Sequence, residues 1–319
     1  MDLDLVGLGS AIIDFAPSNA GVPLSEVKSF IPYAGGSVSN ILVAASRLGL
    51  KTGFLGCVGD DEFGTFILKD FIKEGVDVSY VKKVVKLATG IAFYNVDEKG
   101  ERHYIFYRFP GFSDPETMLS PNDVKEEYLS CTKMLHFSEA MLRKNQTRET
   151  VIRILETARR NGVKVSYDPN TRESLWNTME EFREIQRRVL GYTDVFLSTS
   201  KEAHLIAGGK DIAGIIENIL ALGPSIIVIR KERQYHLFDH GKKSVIPVFQ
   251  AEAVDTSGAG DVFVAGFICG IVKGITLDKA IMLGSAAAAI KVATHGTRGG
   301  LPNMDDVRKF LKKRANIDL

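Results

Sequence analysis

Apolar and polar positions follow two rhythms along this chain. Brief apolar runs closed by Gly, Asp, Asn or polar residues recur: LDLVGLG (3–9), GFLGCVG (53–59), MLHFS (134–138), VKVSYDPN (163–170), VFLST (195–199) and IIVIR (226–230). Their length and largely β-branched content predict buried strands. Between them lie longer segments with apolar residues three and four apart. SNILVAASRLG (39–49), FGTFILKDFIKEG (63–75), RETVIRILETARRNG (148–162), EEFREIQRRVLG (180–191) and AGIIENILALG (213–223) read as helices that stop at glycine, a C-terminal cap signal. Strand–helix alternation of this kind predicts an α/β fold: a doubly wound, mostly parallel sheet with helices on both faces.

Two segments break the rhythm. Residues 15–34 look irregular and rich in small residues. Residues 88–108 (ATGIAFYNVDEKGERHYIFYR) read as a hairpin turning at DEKG, with alternating aromatics that suggest one covered face. Together, excursions 15–34 and 88–112 predict a small β lid over one edge of the body. No Pro/Ser-rich linker sets it apart, so residues 1–319 read as one domain. Near the C-terminus, MDDVRKFLKKR (304–314) predicts an amphipathic helix with a solvated charged face.

Composition narrows the function. The chain has 319 residues, 45% of them hydrophobic, enough for a sizeable core, and a formal net charge of +1. That charge supplies no long-range field for nucleic acid or an anionic membrane. The start MDLDL shows no secretory pattern, and no apolar run reaches the length of a membrane span. Cys57, Cys131 and Cys269 show no metal or disulfide spacing, which predicts reduced thiols in a cytoplasmic protein. The six histidines are scattered without ligand spacing.

The chemistry concentrates in VDTSGAGDVF (254–263), which runs into the helical pattern VFVAGFICGIVKG (262–274). A glycine-flanked turn that opens a helix points several N–H groups one way, and the helix dipole adds positive charge, so it is an anion site. Gly258 and Gly260 remove Cβ atoms that would block a phosphate. Asp261 falls in the first helical turn. A carboxylate there repels a phosphate, but it can take the proton of a hydroxyl that attacks phosphorus. A plain N-capping turn through Thr256, Ser257 or Asp261 is the simpler account of a single Asp-Gly turn. Seven consecutive residues of this kind favour the anion site.

DTSGAGD (255–261) resembles the C-terminal signature of the ribokinase-like (phosphofructokinase B-type) carbohydrate kinases. AGGSVSNILVAASRLG (34–49) followed by GFLGCVGDDEFG (53–64) resembles that family's first signature, and GLGSAIID (7–14) its opening strand, ending in a substrate-binding Asp. DPNTRESLW (168–176) is similar to the fructokinases and 2-keto-3-deoxygluconate kinases. The resemblance implies Asp261 as catalytic base and the N–H groups of Gly258, Ala259, Gly260 and Asp261 as an anion hole. Asp14, Gly35, Gly36 and Asn40 would bind sugar hydroxyls, the glycines also making a tight turn. Arg108 would reach the substrate from the lid, and Arg172 would sit near the transferred phosphate or an acidic end of the substrate. Asp168 and Asn170 would line the site or cap their loop. Of Phe93, Tyr94, Tyr104 and Tyr107, half would be lid core and the others, Phe93 included, would stack on the sugar.

The same resemblance implies ATP and Mg²⁺. The family's N-x-x-E motif appears as Thr199 to Glu202, with Glu202 reaching Mg²⁺ through water or serving only as an exposed charge at a helix start. In IVIRKERQYHLF (227–238), Lys231 and Gln234 stand where many relatives carry glycines near the nucleotide. Thr199, Thr256, Ser257, Gly258, Gly260 and Ala287, the last in SAAAAIKVATHGTRGGLP (285–302), would flank it. A monovalent cation such as K⁺ would sit among Asp255, the Ser257 carbonyl and the Gly296 region.

The expected activity is therefore ATP-dependent phosphorylation of a primary hydroxyl of a small sugar. Fructokinase ranks first, 2-keto-3-deoxygluconate kinase second, and a ribose, nucleoside or aminoimidazole riboside kinase third. The expected partners are a small sugar and a nucleotide, with no nucleic acid and no membrane, and a second copy docked through the lid. Two other classes fare worse. VGLGSAI (6–12) would be a dinucleotide-binding motif with Ile12 in the third glycine position. A non-catalytic sugar sensor would have no need of Asp261 behind an unbroken GAG.

Overall fold

The computed structural model describes residues 2–18, 21–96, 102–109 and 112–319. Its strands are β1 (Leu3–Leu8), β2 (Ile12–Pro17), β3 (Phe30–Gly35), β4 (Thr52–Gly59), β5 (Val76–Asp77), β6 (Val81–Val84) and β7 (Ile91–Val96), then β8 (Arg102–Tyr107), β9 (Thr132–Phe137), β10 (Lys164–Tyr167), β11 (Val195–Thr199), β12 (Ile226–Lys231), β13 (Gln234–Asp239) and β14 (Lys242–Pro247). The large sheet runs β14-β13-β12-β11-β10-β9-β1-β4-β5, with β6 on β4. Pairing is parallel from β12 through β4, and β13 and β14 extend it as an antiparallel meander.

The helices are α1 (Ser37–Arg47), α2 (Glu62–Lys73), α3 (Glu126–Ser130), α4 (Asn145–Arg160), α5 (Met179–Leu190), α6 (Ser200–Ala207), α7 (Ile212–Leu220), α8 (Ala259–Val272), α9 (Leu277–Lys291) and α10 (Met304–Ala315). They cover both faces of the large sheet, because its strands are apolar on both. On β11 and β12, Val195, Leu197 and Val228 face a core built with α1, α8 and α9. Phe196, Ile227 and Ile229, one residue out of step, face a second core built with α4 to α7. Side chains that alternate across a strand produce these two layers directly. No helix among the described residues is long and apolar enough to cross a membrane.

The second sheet is the lid, ordered β3-β2-β7-β8. Asp14 pairs with Tyr33 across the antiparallel β2–β3 ladder and with Ala92 across the parallel β2–β7 ladder, and Ala92 pairs with Phe106 on β8. Residues 88–108 thus contribute the expected antiparallel pair, while the DEKG turn lies outside the described residues. The segment 15–34 is more regular than its sequence suggests. Pro17 and Pro32 hide the strand pattern, yet Pro32 belongs to the edge strand β3, where a missing N–H is tolerated. The opening strand also differs from expectation. β1 stops at Leu8, the chain breaks through Gly9–Ala11, and Asp14 lies within β2 of the lid rather than at the end of β1.

Candidate active site

A cleft of about 720 Å³ opens between the inner face of the lid and the C-terminal ends of the parallel strands. That edge collects the loops after β9, β10 and β11, where an open α/β sheet binds ligands. Asp14, Gly36, Asn40, Arg108, Asp168, Asn170, Arg172, Thr199, Glu202, Thr256, Gly258, Ala259, Gly260 and Asp261 all border it. Residues up to 247 positions apart in sequence therefore share one wall.

The turn before α8 has the geometry of an anion site. Gly258 caps the helix at φ 72°, and a Cβ there would stand 2.8 Å from the Thr297 carbonyl oxygen. A non-glycine residue would thus carry both backbone strain and a clash. The Ala259 N–H is bonded to the Thr256 carbonyl at 3.2 Å. The N–H groups of Gly258, Gly260 and Asp261 have no hydrogen-bond partner among the described residues. Three amides, rather than the four the resemblance implies, thus lie ready for an anion at the positive end of the helix.

Asp261 is buried at this helix start and accepts two hydrogen bonds. Ser37 Oγ donates to Oδ1 at 2.7 Å and Asn40 Nδ2 donates to Oδ2 at 2.9 Å. Burial raises its pKa above the usual carboxylate value; the bonds from Asn40 and Ser37 oppose that shift, as do the charges of Arg172 and Arg298. A carboxylate of raised basicity beside an anion site is suited to accept a proton. The paired glycines let α1 approach: at Gly36, φ 100°, a Cβ would meet the Ser10 carbonyl oxygen at 2.3 Å, and at Gly35 it would meet Asp14 Oδ2 at 2.2 Å.

Cations and carboxylates share the rest of the wall. Arg108 is ion-paired with Asp114 at 3.4 Å and with Glu116. Burial first, then the charge of Arg143, bring its pKa down to about 9. Glu139 takes the Arg172 N–H at 2.8 Å and the Trp176 Nε1–H at 3.1 Å. Arg143 lines the cleft and makes no hydrogen bond or ion pair among the described residues; its buried Nε is unpartnered. Burial lowers its pKa; the Glu139 charge opposes this and the Arg172 charge adds to it. Burial also pushes the Asp168 carboxyl well up, and the negative charges of Glu202 and Asp261 push it further.

That crowding of carboxylates fits a divalent cation carried in with a phosphate ligand, with Glu202 on the cleft wall. Among the described residues no group of three ligating side chains forms a metal cage. Glu202 is already engaged: it closes a capping box with Thr199 and accepts the Thr171 N–H at 2.8 Å. The monovalent-cation position fits poorly. Asp255 Oδ1 accepts the Ser257 N–H at 2.9 Å and Oδ2 the Gly296 N–H at 2.7 Å. The fully buried Lys291 places its ammonium 3.0 Å from the Asp255 carbonyl oxygen.

Gly35 and Ser257 do not reach the cleft wall, and four other expected residues stand off it as well. Phe93 stacks on Phe15 at 4.8 Å within a ring cluster of the lid, paired with Ile105 on the face opposite Phe106. Lys231 and Gln234 face each other as exposed residues, and Arg230, Glu232 and Arg233 border the cleft instead. Ala287 is fully buried, and its neighbours Ala288 and Ala289 reach the wall. Sequence reasoning missed Ser37, Glu139, Arg143 and Arg298. Ser37 lies inside the quoted AGGSVSN block, and Glu139 and Arg143 follow a strand end, where the switch-point rule looks for ligands. Nothing in the sequence marks Arg298.

Comparison with known proteins places this geometry. The family model described as pfkB family carbohydrate kinase matches residues 2–304. The 5-dehydro-2-deoxygluconokinase of Clostridium perfringens is 33% identical over 97% of this chain and 93% of its own length. That of Clostridium tetani is 31% identical over 98% of this chain and 94% of its own. A fructokinase from Xylella fastidiosa, solved with bound ATP, shares the fold with a TM-score of 0.87 at 22% identity, covering 99% of this chain and 100% of that one.

Proposed function

The chain belongs to the pfkB family of carbohydrate kinases, and from that membership we propose that it transfers the γ-phosphoryl group of ATP to a primary hydroxyl of a small keto-deoxy sugar acid such as 5-dehydro-2-deoxygluconate. One observation carries the choice of a sugar acid over fructose: Arg143, a half-buried side chain in the cleft wall whose buried Nε is unpartnered. A substrate carboxylate would supply the missing anion, bidentately where the fork allows. Relatives named for a sugar acid agree with it. The second expectation from sequence, a sugar-acid kinase, thereby moves ahead of the first.

In the proposed step, Asp261 takes the proton of the attacking hydroxyl as its oxygen bonds to phosphorus. The bond from phosphorus to the bridging oxygen of ADP breaks. The amides of Gly258, Gly260 and Asp261 stabilise the equatorial oxygens, the main lever in phosphoryl transfer. Magnesium held by the phosphates, with Glu202 reached through water, would neutralise charge on those oxygens. Asp14, Gly36 and Asn40 would hold sugar hydroxyls. Arg230, Arg233, Ala288 and Ala289 would border the nucleotide in place of Lys231, Gln234 and Ala287. The test is a coupled ADP-release assay with ATP against 5-dehydro-2-deoxygluconate, 2-keto-3-deoxygluconate, fructose, ribose and aminoimidazole riboside. Preference for a neutral sugar would reject the sugar-acid assignment.

Two expectations on partners follow. No monovalent cation is required, because Lys291 supplies a built-in positive charge at the Asp255 loop. Turnover should be equal in sodium, potassium and large organic-cation buffers, and a potassium requirement would refute this. The outer face of the lid, where Ile105 is 49% and Tyr107 42% exposed, seats a second copy. Sedimentation should then show a dimer that I105E with Tyr107→Glu dissociates; a wild-type monomer at working concentration would refute it. The free thiols of Cys57, Cys131 and Cys269 support a cytoplasmic setting.

A further inference from the structure

Arg298 lies behind the cleft wall, on the loop after α9, and its guanidinium makes three contacts. Nε donates to Asn40 Oδ1 at 3.0 Å. Nη2 donates to Ser39 Oγ at 2.5 Å, and Nη1 is ion-paired with Asp70 on α2. The group also lies 5.8 Å from the centre of the Phe71 ring, and only 11% of its side chain is exposed. Arg298 does not border the cleft, so it touches neither substrate nor nucleotide.

Asn40 is the link from this cation to Asp261. A guanidinium only donates and an ionised carboxylate only accepts. An amide wedged between them has one workable orientation: oxygen toward Arg298, nitrogen toward Asp261. The ambiguity that usually attends an Asn amide is removed here by its two partners. We propose that Arg298 is a positioning residue for phosphoryl transfer, acting through Asn40 to lock the amide that orients Asp261. Without it the amide is free to turn over and present its oxygen to the carboxylate, which loses a bond and meets repulsion.

This rests on Asp261 being the base, and the experiment separates the two ideas. The measured set is Arg298→Met, Arg298→Lys, Asn40→Ala, the Arg298→Met/Asn40→Ala double variant and Asp261→Asn, each with melting temperature, kcat, KM and a pH profile. Arg298→Met should fold and lose on the order of 10²-fold in kcat with little change in KM, as small misplacements of a catalytic group do. Its acid limb of kcat/KM should move to higher pH, because a positive charge that favours ionised Asp261 is gone. Arg172 and Asp168 near Asp261, and Asp14 near Arg298, stay in place and cannot cause that move. Arg298→Lys should recover part of the rate, since one ammonium can reach the Asn40 oxygen.

The double variant decides whether the effect passes through Asn40. Arg298→Met should add nothing to Asn40→Ala, the signature of two residues acting as one unit. Additive losses, or an Arg298→Met enzyme with a lower melting temperature but normal kcat and unmoved acid limb, would reduce Arg298 to a structural brace. An active Asp261→Asn enzyme would instead remove the base assignment itself.

Discussion

Asp261→Asn should lower turnover by at least ~10²-fold, the scale of a lost acid–base group, and should raise the melting temperature at neutral pH. The rate loss follows from chemistry. An amide cannot take the proton of the attacking hydroxyl, whereas the three amides of the helix start still hold the phosphate. KM for ATP should therefore change little. Near-normal turnover, measured by ADP release, would take Asp261 out of the mechanism.

The stability gain follows from burial. Asp261 has a folded-state pKa raised above the usual 3.8, chiefly because burial disfavours its charge. Between that value and the folded pKa the unfolded chain releases a proton that the native state still holds, so stability falls as pH rises through this window. Above it the full penalty applies, at neutral pH included. The gain from Asn should hence be largest near neutrality and vanish in acid. Asn also keeps the local bonds, accepting from Asn40 Nδ2 and donating to Ser37 Oγ. Asp261→Ala leaves the Asn40 amide unsatisfied, so it should melt below Asp261→Asn. Thermal unfolding of the two variants from pH 4 to 8 checks the order. In the wild type, the acid limb of kcat/KM should lie above the ordinary carboxylate range for the same reason.

The large sheet was readable because its strands are short apolar runs and its helices keep a clean period. The anion turn was readable because glycines, hydroxyls and aspartates sit within one continuous stretch. Other features were not local. The pairing of β2 with β3 and β7 joins segments far apart in sequence, and Pro17 and Pro32 mask its alternation. Lys231 was named where Arg230 and Glu232 border the cleft, because alternation along β12 decides which neighbour faces it, and register cannot be read from one strand. Arg298 reaches Asn40 across 258 positions, a pairing that only the packing of α1 against the last loop creates. Arg143 carries no motif, and its significance lies in the partner it lacks.

That missing partner underlies the second large effect. Wild-type kcat/KM for 5-dehydro-2-deoxygluconate should exceed that for fructose by ~10⁴-fold, the discrimination reached where a site's buried polar groups go unpaired with the wrong substrate. Of the five arginines that border the cleft, Arg108, Arg143 and Arg172 differ in how much of this they can supply. Arg108 is already neutralised by Asp114 and Glu116, and Arg172 is exposed and bonded to the Asn170 side chain at 2.7 Å. Arg143 alone among the three makes neither a hydrogen bond nor an ion pair among the described residues and has a buried, unpartnered Nε, so an entering carboxylate changes its surroundings most. Leaving it unpaired under a bound neutral sugar retains its desolvation penalty, which the Glu139 charge only partly offsets. Arg143→Met keeps the length and apolar stem but removes the charge. It should cut kcat/KM for the sugar acid and leave or improve that for fructose, so the preference collapses from the acid side. The two substrates measured in parallel on wild type and variant give the result as a single ratio. A ratio untouched by the substitution would relocate carboxylate recognition to Arg108 or Arg172, and a wild-type ratio near one would remove it from this cleft.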